Sequence, residues 1–118
     1  MSYINKEGKT TARRNMIIRQ QVSDVIAYNR ITTTFSRAKE TQKHVDYVIN
    51  LSKKKTLASK RAIASMLLDN KQADVSTLLK LLDNIAKKHA TRNGGYTRVL
   101  RIGKRRGDNV EEAILEII

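Results

Sequence analysis

Apolar residues recur three and four positions apart in four stretches of this chain, and alternate with polar residues in others. Ile18, Val22, Val25 and Ile26 share one face of a helix that starts near Thr10 or Thr11, either of which can cap it. Asn29 is a stop. From Arg30 to Phe35 the period changes to two, with Ile31, Thr33 and Phe35 alternating with Thr32 and Thr34, so a strand is expected. Ser36 is placed to cap the next helix, with Glu40 near the carboxylate position of a capping box. Val45, Val48, Ile49 and either Leu51 or Ser52 form its apolar face, and Lys53-Lys54-Lys55 ends it, where cations suit the helix dipole. A shorter helix carries Leu57, Ala58, Arg61, Ala62, Ile63, Met66 and Leu67, and breaks at Asp69-Asn70. Another runs from about Asp74 to His89, with Val75, Leu78, Leu79, Leu82, Ile85 and Ala86 on one side.

Gly94-Gly95 ends everything helical. Strands are expected at 96–102 and 110–118, joined by a glycine-bounded basic loop as an antiparallel hairpin. The fold class is therefore α+β. Helices pack on a small three-stranded mixed sheet, with a strand order that the pattern leaves open. Residues 1–9 read as an extended basic N-terminal arm and residues 10–118 as a single domain.

Charge changes the picture from a generic small domain to a binding protein. The 118 residues hold 24 Lys plus Arg against 11 Asp plus Glu, a formal net charge of +13. Self-repulsion of that size destabilises a compact state, whereas a polyanionic partner relieves it. The excess is uneven. Residues 1–61 have a net charge of +10, residues 62–90 of +1, residues 91–107 of +6, and residues 108–118 of −4. Two basic zones thus flank a nearly neutral centre that reads as scaffold. With no cysteine, disulfides, thiol catalysis and thiolate metal sites are excluded. No apolar run approaches the ~20 residues of a membrane span, and the start lacks a signal-peptide core, so a cytoplasmic protein with no membrane partner is expected. One Phe, four Tyr and no Trp leave few rings for stacking bases.

The candidate contacts are cationic. Arg92, just before Gly94-Gly95, and Arg98, Arg101, Lys104, Arg105 and Arg106, between that turn and Gly107, form a group with no acid among them. Arginine forks fit phosphate oxygens, and glycines let backbone N–H groups approach an anion. Lys6, Lys9, Arg13, Arg14 and Arg19 could track a phosphate backbone from the arm into the first helix. Lys53, Lys54, Lys55, Lys60 and Arg61 form a third group, and Arg37 and Lys39 open the second helix. Each group competes with a plainer reading, a solvated charged surface. For His44 and His89 the plainer reading, a surface or helix-end histidine, is preferred. Glu112 and Glu116 share a strand face opposite Arg98 and Arg101, so cross-strand ion pairing is expected rather than a carboxylate site. No catalytic set, metal spacing, cofactor fingerprint or small-molecule substrate site is visible.

Asn93-Gly94-Gly95-Tyr96-Thr97-Arg98-Val99-Leu100-Arg101, followed by Gly103, Arg106, Gly107 and Asp108, closely resembles the bacterial large ribosomal subunit protein seventeen family. Arg30-Ile31-Thr32-Thr33-Thr34 and Arg37-Ala38-Lys39-Glu40 agree, as does the order of parts, so the resemblance covers nearly the whole chain. It implies a non-catalytic one-domain protein without cofactor. Its implied partners are large-subunit ribosomal RNA near the peptide exit tunnel and neighbouring large-subunit proteins. The front departs from the family, since Ser2-Tyr3-Ile4-Asn5 precede the first lysine. Two rivals fare worse. A DNA-binding regulator would need a base-reading helix pair, and the acidic last strand has no place in that plan. An enzyme of RNA metabolism would need an acid, base, nucleophile or metal set.

Overall fold

The structure is a computed structural model that describes residues 11–69 and 73–118. The expected arm at 1–9, with Lys6 and Lys9, the cap at Thr10 and the break at Asn70 lie outside the described residues. Four helices pack on a three-stranded sheet: α1 (Thr11–Tyr28), β1 (Arg30–Thr34), α2 (Phe35–Lys54), α3 (Leu57–Met66), α4 (Val75–Lys88), β2 (Thr97–Lys104) and β3 (Glu111–Ile117).

Local chemistry sets the boundaries. Asn29 ends α1 in the left-handed region at φ 67°, a conformation asparagine tolerates better than most residues. The second helix starts one residue before the expected cap. Thr34, extended at φ −68°, ψ 149°, accepts the Arg37 N–H on its hydroxyl, so Phe35 is helical rather than the last strand residue. Glu40 takes no part in a capping box; it is buried on α2. Lys55 closes α2 at φ 54°. Thr56 and Ser59 then form a reciprocal capping box for α3, a pairing the charge-led reading of that segment passed over. Asp74 caps α4 through the Thr77 N–H, which holds the Asp74 carboxyl below its usual pKa.

The sheet order is β1-β3-β2. Both pairings are antiparallel, so the sheet is antiparallel throughout and not mixed. The last strand enters between the other two and runs against both, which aligns β1 and β2 with each other. Ile31 and Val99 flank Leu115 in register. Leu115 and Ala113 are fully buried beneath the helices with Val22, Val25, Ile26, Val45, Val48, Ile49, Leu78 and Leu82. The apolar stripes read from the sequence are this core. Thr32, Ile114 and Leu100 lie in one row on the opposite face, and Leu100 stays 44% exposed.

Polar side chains join the layers where apolar ones cannot. Thr41 donates to Gln21 Oε1 at 2.6 Å, and Gln21 donates to Thr33 Oγ1 at 3.1 Å, tying α2, α1 and β1 together. Both amide atoms of Gln21 are thereby satisfied, as burial between layers requires.

Candidate nucleic-acid interface

The hairpin carrying most of the expected arginines is held by one polar stripe of α2. Gln42, Asp46, Asn50 and Lys53 recur at intervals of four, four and three, one helical face. Gln42 donates to the Thr97 carbonyl at 3.2 Å. Thr97 Oγ1 donates to Asp46 Oδ1 at 3.0 Å. Tyr96 donates its phenolic hydrogen to Asn50 Oδ1 at 2.6 Å and accepts from Lys53 Nζ at 2.7 Å. Lys53 also donates to the Arg92 carbonyl, and its ammonium lies 4.4 Å from the centroid of the Tyr96 ring. Tyr96 is completely buried and Thr97 nearly so. Burial pushes the Asp46 carboxyl up from its ordinary pKa, partly offset by the hydrogen bonds from Thr97 and the Tyr96 backbone.

The Gly-Gly-Tyr-Thr run is therefore an anchor. Gly94 and Gly95, at φ 121° and 63°, turn the chain so that Tyr96 can enter the stripe. They follow a short turn after His89 rather than capping α4 directly, since α4 ends at Lys88. Sequence reasoning missed Gln42, Asp46 and Asn50. Their signal was a polar 4-4-3 spacing beside the apolar Val45 and Ile49.

Beyond the anchor the arginines spread along an exposed ribbon. Arg98 pairs with Glu116, which also lies 3.9 Å from Arg30. Arg101 lies 3.2 Å from Glu111, and its guanidinium sits 4.1 Å from the Phe35 ring centroid. Lys39 approaches that ring at 5.8 Å. Cross-strand pairing thus occurs as expected, with one change of partner. Arg101 stands opposite Ala113 and so shares the face of Glu111, whereas Glu112 lies on the other face with Glu116, so Glu111 and not Glu112 meets Arg101. At the tip, Arg105 pairs with Asp108 at 2.6 Å, which lowers the Asp108 pKa. Lys104 and Arg106 are exposed and unpaired among the described residues.

The α1 arginines divide. Arg13 is exposed, but Arg14 is only 8% exposed. It donates to Thr11 Oγ1 at 2.9 Å, and its Nε and Nη1 find no acceptor among the described residues. Arg19 is half-buried and donates to the Leu67 carbonyl at 3.3 Å, which makes it a brace for the segment after α3. Arg37 is half-buried on α2. Lys54, Lys55, Lys60, Arg61 and Arg92 are exposed. His89 is the helix-end histidine, at the C-cap of α4, and it is buried rather than on the surface because the end of α4 lies against Tyr96, ring centroids 5.8 Å apart. Its pKa is lowered by burial and by Arg92, Lys88 and Lys53, against a hydrogen bond to the Ile118 backbone. Among the described residues no group of three or more His, Cys, Asp or Glu could hold a metal ion, and no helix is long and apolar enough to cross a membrane.

This arrangement can neutralise phosphates along an anchored ribbon. The chain is 60% identical over its full length to the complete large ribosomal subunit protein bL17 of Malacoplasma penetrans. It is 56% identical, again end to end, to that of Ureaplasma parvum serovar 3. Against the Mycoplasma genitalium protein of the same name it is 49% identical, covering all of this chain and 97% of the relative. The family model described as ribosomal protein L17 matches residues 17–118, and the chain belongs to the ribosomal protein L17 family.

Proposed function

We infer that this protein is a structural constituent of the large ribosomal subunit that binds large-subunit ribosomal RNA and supports translation, in the cytoplasm and without catalysis. The observation that carries the reading is the clamp on the hairpin. Five hydrogen bonds from α2 fix the root of a ribbon bearing Arg98, Arg101, Lys104, Arg105 and Arg106. A loop that merely solvated its charge would need no such anchoring. Rigid placement of guanidinium forks spares the entropy otherwise lost on binding.

Contacts are assigned to the hairpin with Arg92, to the arm with Lys6, Lys9 and Arg13, and to the exposed Lys39, Lys54, Lys55, Lys60 and Arg61. Arg19 acts from within the fold, bracing α1 to the segment after α3, while Arg14 lies buried against Thr11. Residues 1–9 form the arm and 10–118 the domain in this reading, with neighbouring large-subunit proteins as further partners and the exit-tunnel region as the site of assembly. The test is sedimentation. The protein should travel with large ribosomal particles through moderate salt and leave only at high salt, as phosphate contacts dictate. Free protein at low salt would overturn the reading.

A further inference from the structure

The sequence leaves residues 62–90 close to neutral, but the fold moves part of their charge to a new place. Lys55, left-handed at φ 54°, turns the chain sharply from α2 into α3. The turn sets Lys60 of α3 opposite the last turn of α4. Two adjoining depressions result, of about 210 and 250 Å³. Lys55, Ala86 and Lys87 line both, and Lys60 lines the first. Asp83 is the one carboxylate among these linings, and it accepts the Ser52 hydroxyl at 3.3 Å. None of Lys55, Lys60 and Lys87 forms an ion pair among the described residues.

The plain explanation of lysines at helix ends is the macrodipole, which favours cations in a last turn. It accounts for Lys53, Lys54, Lys87 and Lys88. It does not account for Lys60. That residue stands in the opening turn of α3, where the dipole opposes a cation and no acid is present. A second sign of positive potential is close by, since Lys53, Lys88 and Arg92 all disfavour a proton on His89.

We propose that the seam between the α2–α3 turn and the end of α4 is a phosphate-binding groove that carries a stretch of ribosomal RNA backbone, separate from the hairpin contact. Lysine ammoniums act there as point charges on mobile stems and carry no base-reading geometry, so the groove positions RNA without selecting sequence. A protein occupant is disfavoured, because lysine is depleted at protein interfaces and the seam offers no aromatic anchor. The inference rests on the ribosomal reading and adds to it a contact region that includes α4.

The test uses the full chain and a large-subunit ribosomal RNA transcript, with affinity measured against salt. Lys55→Gln/Lys60→Gln/Lys87→Gln should keep its circular dichroism and lose about 0.7–0.9 from the log–log salt slope for each contact removed. Lys104→Ala/Arg106→Ala is the companion variant. If the parent binds, the companion flattens the slope and the triple variant matches the parent, the groove is wrong and the ribosomal reading stands. If the triple variant keeps its RNA slope but no longer sediments with the subunit, the seam belongs to an acidic protein surface and the proposal falls. A parent that does not bind RNA overturns both readings.

Discussion

The hairpin and the lysine seam are both cationic, yet they hold their charge in opposite ways. On the hairpin, Arg98, Arg101 and Arg105 each face a carboxylate, and Arg101 also covers the Phe35 ring. At the seam, Lys55, Lys60 and Lys87 face no acid within ion-pairing distance among the described residues. The arginine ends of these pairs are exposed, 58%, 63% and 47% accessible, while Glu116 is only 13% accessible. Pairs of that kind contribute at most about 1 kcal/mol. They serve better as orientation, holding planar forks in place until phosphate oxygens replace the carboxylates. The seam has flexible point charges instead. Unpaired charge, rather than charge summed along the chain, distinguishes a ready binding surface from a preassembled one.

The comparison can be broken at its shared support. Leu82 of α4 is 1% exposed in the core beneath both regions. Leu82→Ala should destabilise the domain by about 2–5 kcal/mol in chemical denaturation. A stable variant with weakened RNA binding would place the Leu82 face of α4 in the interface and not the scaffold.

A smaller change should touch the hairpin alone. Tyr96→Phe removes the hydroxyl shared by Asn50 and Lys53 and should cost about 1–2 kcal/mol, with faster amide exchange at the start of β2. Unchanged exchange would show that something other than the α2 stripe aims the ribbon.

Glycine replacement sharpens the same point. An added Cβ would meet nothing within 4 Å at Gly94 or Gly95, so only backbone strain is at stake. Gly95→Ala, at φ 63°, should cost about 1 kcal/mol. Gly94→Ala, at φ 121°, should cost more, because that region is closed to L-residues. Equal, negligible losses in thermal melts would reduce the pair to a flexible joint.

At the hairpin tip, Arg106 is unpaired among the described residues and Arg105 is held by Asp108. Arg106→Ala should flatten the salt slope of RNA binding by about 0.7–0.9, and Arg105→Ala by no more. The reverse ranking would mean that preassembled forks bind better than free ones.

The smallest effect is a pH dependence at the junction of the two regions. His89 titrates below its ordinary value, so the unfolded chain takes up the proton first as pH falls. Stability should therefore be complete above the unfolded pKa, ~6.5, and decline as pH drops through and below it. Lys53, Lys88 and Arg92 face the ring from α2, α4 and the loop, while the Ile118 backbone and Tyr96 flank it. His89→Gln should flatten that decline in melts between pH 5 and 7.5, and an unaltered profile would remove His89 from it.

Helix faces, the hairpin and the family signature were legible from the sequence because each depends on neighbours a few residues apart. Val45, Val48 and Ile49 repeat at helical spacing, and Gly94-Gly95 marks a turn, whatever lies elsewhere in the fold. Tertiary structure alone decided that β3 enters between β1 and β2, because strand order depends on which edges meet after the intervening helices pack. It gave Tyr96, Thr97 and Lys53 an anchoring role, for a hydrogen-bonded stripe exists only once α2 lies beside the strand. It buried Arg14, half-covered Arg19 and brought Lys87 to Lys55 and Lys60. A charge map along the chain adds neighbours in sequence, whereas the field a phosphate meets adds neighbours in space, after carboxylates have cancelled the cations they can reach.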